Sequence, residues 1–390
     1  MRELLINHID NKNLIYLIEE GKIVEYYEEG KEHKNLDGNI YIGKVQNIVP
    51  GLEAAFINLG EGKNAFIHKK DILPKQDETK EKFENKVSIT KLIKPGDPIL
   101  VEVKKDKMQT KGARVSTHVG LRGRMIVLMP NAPYVTLSSK ITDRNRRTEL
   151  KELVSNELPE GIGAIIRTTA DKAKNEDIIE DIRYQMEKWK KIQSTEFENY
   201  PVKIYDSGGI FKKVIIDLID FDLDKIIVNT KENEVRVKQI IEEIGGKVRL
   251  EVEERDLSKK YDIIKEISKM NSNKIWLKSG GFITIDRTEA LTAIDVNTGK
   301  FTGNTNLEET IYKVNEEAAK EIARELRLRD IGGIIVIDFI DMHKPENIEK
   351  IVKALQEFCL ADRSRIQIED FTKLNLLELT RKQISSKRLD

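Results

Sequence analysis

The sequence predicts a multidomain protein of mixed α/β and α+β class, and three observations carry that expectation. Within residues 288–342, two apolar strands that each end in a carboxylate bracket one amphipathic helix. Within residues 37–118, short apolar runs alternate with turns of Gly and Pro, as in a small β barrel. The 390 residues exceed what one hydrophobic core usually organises, which points to roughly two to four compact units.

From the N-terminus, residues 2–6, 13–19 and 22–27 read as short strands that end in the charged turn Glu28-Glu-Gly-Lys-Glu-His-Lys. Three strands bury too little to stand alone, so they are expected to join a sheet completed later. The apolar run 211–218 is the candidate partner, with a helix over 232–244. In the barrel region, strands are expected at 38–49, 53–59, 64–68 and 97–103. Several short strands around Gly-rich turns suit an OB-fold, a scaffold that often binds oligonucleotides. Phe56 and Phe66 are either core residues or exposed rings able to stack on bases, and Lys111 could meet a nucleic-acid backbone. The polar stretch 76–85 reads as a solvated insertion. Between residues 119 and 213, strands at 123–129, 134–137 and 163–169 alternate with helices at 148–157 and 177–193. The strand at 163–169 ends in Arg167-Thr168-Thr169, a guanidinium beside two hydroxyls, which is the chemistry of a compact phosphate clamp.

The C-terminal segment is the most explicit. Glu289-Ala-Leu-Thr-Ala-Ile-Asp295-Val-Asn297-Thr-Gly and Gly332-Gly-Ile-Ile-Val-Ile-Asp338-Phe-Ile-Asp341-Met342 flank a helix with Thr305 as N-cap and Glu308 as its capping-box partner. Leu307, Ile311, Val314, Ala318, Ile322 and Leu326 recur at helical spacing and define its apolar face. Gly332 and Gly333 are expected to stop it. Strand, helix, strand at this length is most simply a crossover joining parallel strands, so Asp295 and Asp338 should meet at one edge of the sheet. Residues two apart on a strand share a face, which aligns Asn297 with Asp295. Either acid alone would read as a turn former. Two acids at matching strand ends instead suit a hard divalent cation such as Mg²⁺, which takes one or two carboxylates and reaches phosphate through water. Asp341 lies off the strand alternation and has a supporting role at most.

Composition sets looser limits. With 67 basic and 67 acidic residues, overall charge gives no sign of nucleic-acid binding, so attraction for phosphate must come from local patches. The basic clusters Arg122/Arg124, Arg144/Arg146/Arg147 and Arg324/Arg327/Arg329 are candidates, as solvated faces or as guides for an RNA backbone; Arg327 and Arg329 stand out because they precede the strand of Asp338. A single cysteine, Cys359, excludes a disulfide framework within the chain and reads as a buried thiol. No apolar run reaches membrane-span length and the N-terminus has no signal-peptide core, so a soluble cytoplasmic protein is expected. No Gly-x-x-x-x-Gly-Lys-Ser/Thr run supports a P-loop nucleotidase.

The segments quoted around Asp295 and Asp338, together with Ala323-Arg-Glu-Leu-Arg-Leu-Arg-Asp-Ile, resemble the catalytic segment of the bacterial ribonuclease E/G family. The match is long and nearly gapless. It implies Mg²⁺ held by Asp295 and Asp338, with Asn297 orienting the attacking water. It implies internal cleavage of single-stranded A/U-rich RNA, in rRNA 5′-end processing and mRNA decay. It implies a 5′-monophosphate pocket formed by Arg167, Thr168 and Arg365, and RNA contacts at Phe56, Phe66 and Lys111. The implied architecture is an RNase H-like scaffold (1–36 and 214–278) lacking a metal-type acid cluster, Asp217, Asp220 and Asp222 being the closest approach to one. Inserted in it are an OB-fold barrel (37–118) and a 5′-sensor unit (119–213), and a DNase I-like catalytic domain (279–390) follows. Family members usually continue to a Cys-Pro-x-Cys motif that joins two subunits through shared Zn²⁺, and then to a small dimerisation domain. The sequence stops at Asp390 before either, so zinc is not expected, and homo-oligomerisation is left open. Two other functions fit the residue types: a non-catalytic RNA-binding protein, and a metal-dependent phosphodiesterase acting on DNA.

Overall fold

The computed structural model describes residues 1–30, 35–72, 88–106, 112–219, 223–299 and 307–384. The 76–85 insertion, Lys111, Asp220, Asp222 and the cap at Thr305 fall outside the described residues. The chain forms two compact units, one of Met1–Glu29, Asp224–Glu234 and Arg249–Asp390, the other of Gly30–Leu223 and Val235–Val248. Among the described residues no helix is long and apolar enough to cross a membrane.

The first unit holds two sheets. In one, the strands run Arg249–Val252, Lys225–Val228, Arg2–Ile9, Lys12–Glu19, Lys22–Gly30 in spatial order. Arg2–Ile9 pairs antiparallel with Lys12–Glu19 and parallel with Lys225–Val228. The N-terminal strands thus complete their sheet with residues more than two hundred positions later, as their small size demands. The partner differs from the expected 211–218 run, which is the helix Gly209–Leu218 of the other unit. Its β-branched Val214, Ile215 and Ile216 suggest a strand. However, Ile210, Phe211, Val214, Ile215 and Leu218 recur at helical spacing and are buried, and that period wins over local preference.

The other sheet of this unit has six strands in the order Lys274–Trp276, Phe282–Arg287, Leu291–Asn297, Gly333–Asp338, Leu376–Arg381, Ile366–Phe371. Leu291–Asn297 and Gly333–Asp338 are parallel neighbours, and every other pairing in the sheet is antiparallel. The helices Leu307–Leu328 and Pro345–Cys359 share one core with Ile283, Ile285, Ile294, Val296, Ile335, Ile337, Leu377 and Leu379. Those residues alternate along the strands, so one sheet face is packed and the opposite face is open. Cys359 is a buried thiol in this core. Two details of the long helix differ from expectation. Leu307 is 74% exposed, because it sits in the first turn beyond the packed face. The helix also stops earlier than the Gly pair, at Asp330, whose φ of 45° provides the left-handed turn. Gly333, with φ of 95°, then permits entry into the strand.

The second unit contains a closed five-stranded barrel. Its strands follow the order Ile40–Val49, Ala54–Asn58, Ala65–His68, Arg114–Ser116, Pro98–Lys105, and Pro98–Lys105 pairs back with Ile40–Val49. Val202–Tyr205 extends it beside Ile40–Val49. A four-stranded sheet follows, in the order Val135–Leu137, Gly163–Ile166, Ile126–Met129, Leu121–Arg122, and the helices Arg144–Glu157 and Asn175–Gln193 pack on it.

Candidate active site

The register of the C-terminal sheet places Asp295 directly opposite Asp338 on adjacent parallel strands, which lie about 4.8 Å apart in the hydrogen-bonding direction. Thr292, Ile294 and Val296 point into the core, so Asp295 lies on the open face. The amide of Asn297 donates to Asp295 Oδ2, which fixes that carboxylate relative to the strand. Among the described residues, neither Asp295 nor Asp338 forms an ion pair with Lys or Arg. Burial raises the Asp338 carboxyl above the ordinary carboxylate range, and the nearby carboxylates of Asp295 and Asp341 raise it further. Asp341 accepts a long contact, 3.4 Å, from the Asn375 amide. Among the described residues no group of three or more His, Cys, Asp and Glu side chains is arranged to hold a metal. Two like charges gathered without a counter-ion are what a Mg²⁺-type site offers, since that ion asks for only one or two carboxylates.

Arg167 and Thr168 lie together at the end of Gly163–Ile166, and both are engaged. Arg167 Nη1 donates to the Gly123 carbonyl at 2.6 Å and Nη2 to Asp217 Oδ1 at 2.5 Å. The Thr168 hydroxyl is 2.9 Å from that of Ser138, and Thr169 donates to the Arg124 carbonyl at 2.7 Å. The loop is pinned from two further directions. Arg146 donates to the carbonyls of Ala170, Asp171 and Ala173, and Arg147 to those of Ser138 and Ile141. Buried Asp181 accepts from the Met125 and Ile126 amides at 2.7 and 3.0 Å. A Cβ at Gly123 would meet that carboxylate at 2.4 Å, so a glycine is needed there. Arg146 and Arg147 thus clamp the loop. Arg365 is exposed at the start of Ile366–Phe371 and belongs to the other compact unit.

Phe56 and Phe66 face each other across neighbouring barrel strands, with ring centroids 6.0 Å apart and planes at 71°. Ala55, Ile57, Ala65 and Ile67 fill the barrel interior, so strand alternation puts both rings outside, half-exposed. The same row continues to Asn47 on one side and Arg114 on the other. Arg114 was not singled out by the sequence. The signal that could have found it is its place on a strand beside Phe66.

The arginines that end the long helix, offered by the sequence as solvated faces or as RNA guides, are engaged in ion pairs. Arg327 donates to Glu19 at 2.9 and 3.1 Å and to Glu25 at 3.0 Å. Arg363 donates to Glu25 and to the Tyr27 hydroxyl at 2.7 and 2.6 Å. Arg329 donates to Glu325, and Arg324 to Glu321 at 2.7 Å. Arg381 is held between Asp362 and Asp330 at 2.7 and 2.8 Å. Burial alone would raise the Glu25 carboxyl, but the guanidinium groups of Arg363 and Arg327 outweigh it and bring it down to about 2.

Comparison with known proteins decides the family. The profile described as the Ribonuclease E/G family matches residues 120–384, and the S1 RNA binding domain matches residues 36–118. Ribonuclease G of Haemophilus influenzae is 36% identical over 390 residues, covering 98% of this chain and 79% of that protein. The chain belongs to the ribonuclease E/G family. Ribonuclease G of Escherichia coli K12 is 34% identical over 390 residues, covering 98% of this chain and 80% of that protein. Ribonuclease E of the same strain is 34% identical over 393 residues, covering 99% of this chain but 37% of that much longer protein. Within this ribonuclease E/G chain, the S1 match coincides with the five-stranded barrel, and the family match includes both the Arg167 loop and the paired carboxylates.

Proposed function

We propose that this endoribonuclease is Mg²⁺-dependent and cuts single-stranded, A/U-rich RNA at Asp295 and Asp338. The observation that carries the reading is the register that sets these two carboxylates opposite each other on an open sheet face, among like charges. Asp295 and Asp338 would hold the cation, which when bound would polarise a phosphoryl oxygen and lower the pKa of an attacking water. Asn297 donates through its amide to Asp295, and we assign it to orienting the attacking water. The outer aromatic row of Phe56 and Phe66, with Lys111, would stack and guide the strand.

We assign Arg167 and Thr168 to a 5′-monophosphate; Arg365 lies in the other compact unit, and its part in that pocket rests on the family resemblance. Since Asp217 already occupies one arm of the Arg167 guanidinium, a terminal phosphate must compete with that carboxylate for the fork. The natural substrates of this reading are rRNA precursors and mRNA in the cytoplasm. The spatial order of the N-terminal sheet, a three-strand meander followed by two parallel strands, supports an RNase H-like scaffold at 1–36 and 214–278. The DNase I-like assignment of 279–390, and the boundaries 37–118 and 119–213, rest on the family resemblance.

Matched oligonucleotides test this directly. A 5′-monophosphorylated A/U-rich RNA should be cut internally in Mg²⁺, faster than its 5′-hydroxyl form, while the DNA of the same sequence stays intact. Equal cleavage of RNA and DNA would favour a general phosphodiesterase, and binding with no cleavage would favour a non-catalytic RNA-binding protein.

A further inference from the structure

The open face of the C-terminal sheet carries more than carboxylates. Strand alternation puts Ile283 and Ile285 in the core, which leaves Phe282 and Thr284 on the open side with Asp295. Register then defines two rows running across the strands. One reads Trp276, Phe282, Asn297; the next reads Lys274, Thr284, Asp295, Asp338. Trp276 is 63% exposed, an unusual position for the largest apolar side chain. Its ring centroid lies 5.3 Å from that of Phe282, with planes at 61°. Lys274 Nζ sits 4.4 Å from the Trp276 centroid and 3.5 Å from that of Phe282.

We propose that Trp276 and Phe282, with Lys274 against both rings, form a base-stacking subsite that takes a nucleobase next to the phosphate being cut. This rests on the reading of Asp295 and Asp338 as the nuclease centre. Phe282 is one strand from Asn297 and Trp276 is two, so the platform begins roughly 5 Å from the Asn297 column and ends roughly 10 Å from it. A single strand laid across the carboxylates therefore passes over the rings. Aromatic faces accept any base, and the lysine ammonium complements the neighbouring phosphate. The occupant is a polyanion rather than a second copy of this chain, because lysine is depleted from the cores of protein interfaces whereas it suits a phosphate backbone. The subsite would add affinity and cut-site preference without adding sequence-specific hydrogen bonds.

The chain has two tryptophans, and Trp189 is buried away from any added ligand, so quenching by an oligonucleotide reports chiefly on Trp276. Titrating full-length protein with a 5′-monophosphorylated, 2′-O-methylated A/U-rich oligonucleotide should quench the emission, and the quenching should vanish in Trp276→Phe. With the cleavable RNA, Trp276→Ala should lower kcat/KM by roughly 5- to 150-fold, the range expected for one lost stacked base, and Trp276→Phe should retain most of it. An abasic nucleotide beside the cut should penalise the wild type and not Trp276→Ala. Active wild type with no quenching, or equal abasic penalties in both proteins, would overturn the subsite while leaving the nuclease reading intact. A Trp276→Ala protein whose solution mass falls while its RNA cleavage is unchanged would also overturn it, and assign the patch to self-association.

Discussion

Within the unit that carries the C-terminal sheet, two sets of charged side chains are built in opposite ways. Around the end of the long helix, Glu19, Glu25, Asp330 and Asp362 are each met by arginine, and the members lie buried between secondary-structure elements. On the open sheet face, Asp295 and Asp338 stand opposite each other with the carboxylate of Asp341 nearby, and among the described residues the pair has no Lys or Arg partner, only the Asn297 amide on Asp295. The first arrangement is saturated in charge: each of these acids has an arginine as counter-charge. The second gathers like charges, which raises the Asp338 carboxyl and which a bound cation or a proton would relieve. Residue type does not separate the two cases. Arg327 and Arg329 lie a few residues before Asp338, yet they belong to the saturated set.

The largest effect should come from breaking the saturated network. Glu25 is 1% exposed and Arg327 6%, and Arg327→Ala would leave Glu25 to Arg363 and Glu19 to Arg2, so it should cost about 3 kcal/mol in chemical denaturation, the low end for a broken buried pair. The protein that remains folded should still bind metal and RNA, because this set makes no contact with substrate in our account. Loss of activity in fully folded Arg327→Ala would erase the distinction between the two sets.

The pH dependence sharpens the same contrast. The Glu25 carboxyl lies near 4.5 when unperturbed and about 2 in the fold. Its contribution, on the order of 3 kcal/mol, is fully present above the unfolded value and is lost as pH falls from about 4.5 through 2. Denaturation midpoints followed from pH 6 downward should fall across that window, and less steeply in Glu25→Gln. A wild type whose stability is flat down to pH 3 would contradict the depressed value.

The smallest effect belongs to the open pair. Asp338→Asn removes one of several crowded like charges and should leave stability unchanged or raise it, within about 0.5 kcal/mol. A clear destabilisation would mean that Asp338 has a structural partner and belongs with the saturated set.

Much of this site was legible in the sequence for a specific reason. Asp295 and Asp338 end apolar runs whose period and connecting helix dictate a parallel pair, and the register followed from that. The outward position of Phe56 and Phe66 was half-legible: small and branched residues alternate with them, but nothing in the sequence says which side of the barrel is filled. The 211–218 run misled because β-branched residues occupy helical spacing there. The buried arginines could not be read at all, since a guanidinium looks the same in sequence whether solvent or Glu25 meets it. Trp276 was missed because its exposure depends on which face of the sheet the helices cover.

The central claim is that the like-charged carboxylate pair is the cutting centre. The most direct test is the rate of internal cleavage of a 5′-monophosphorylated A/U-rich RNA against Mg²⁺ concentration, for wild type, Asp295→Asn and Asp338→Asn. Our account predicts a saturable Mg²⁺ dependence in the wild type and a loss of roughly 10²-fold or more in each variant, with folding intact. Undiminished, Mg²⁺-dependent cleavage by both variants would place the chemistry elsewhere in the chain.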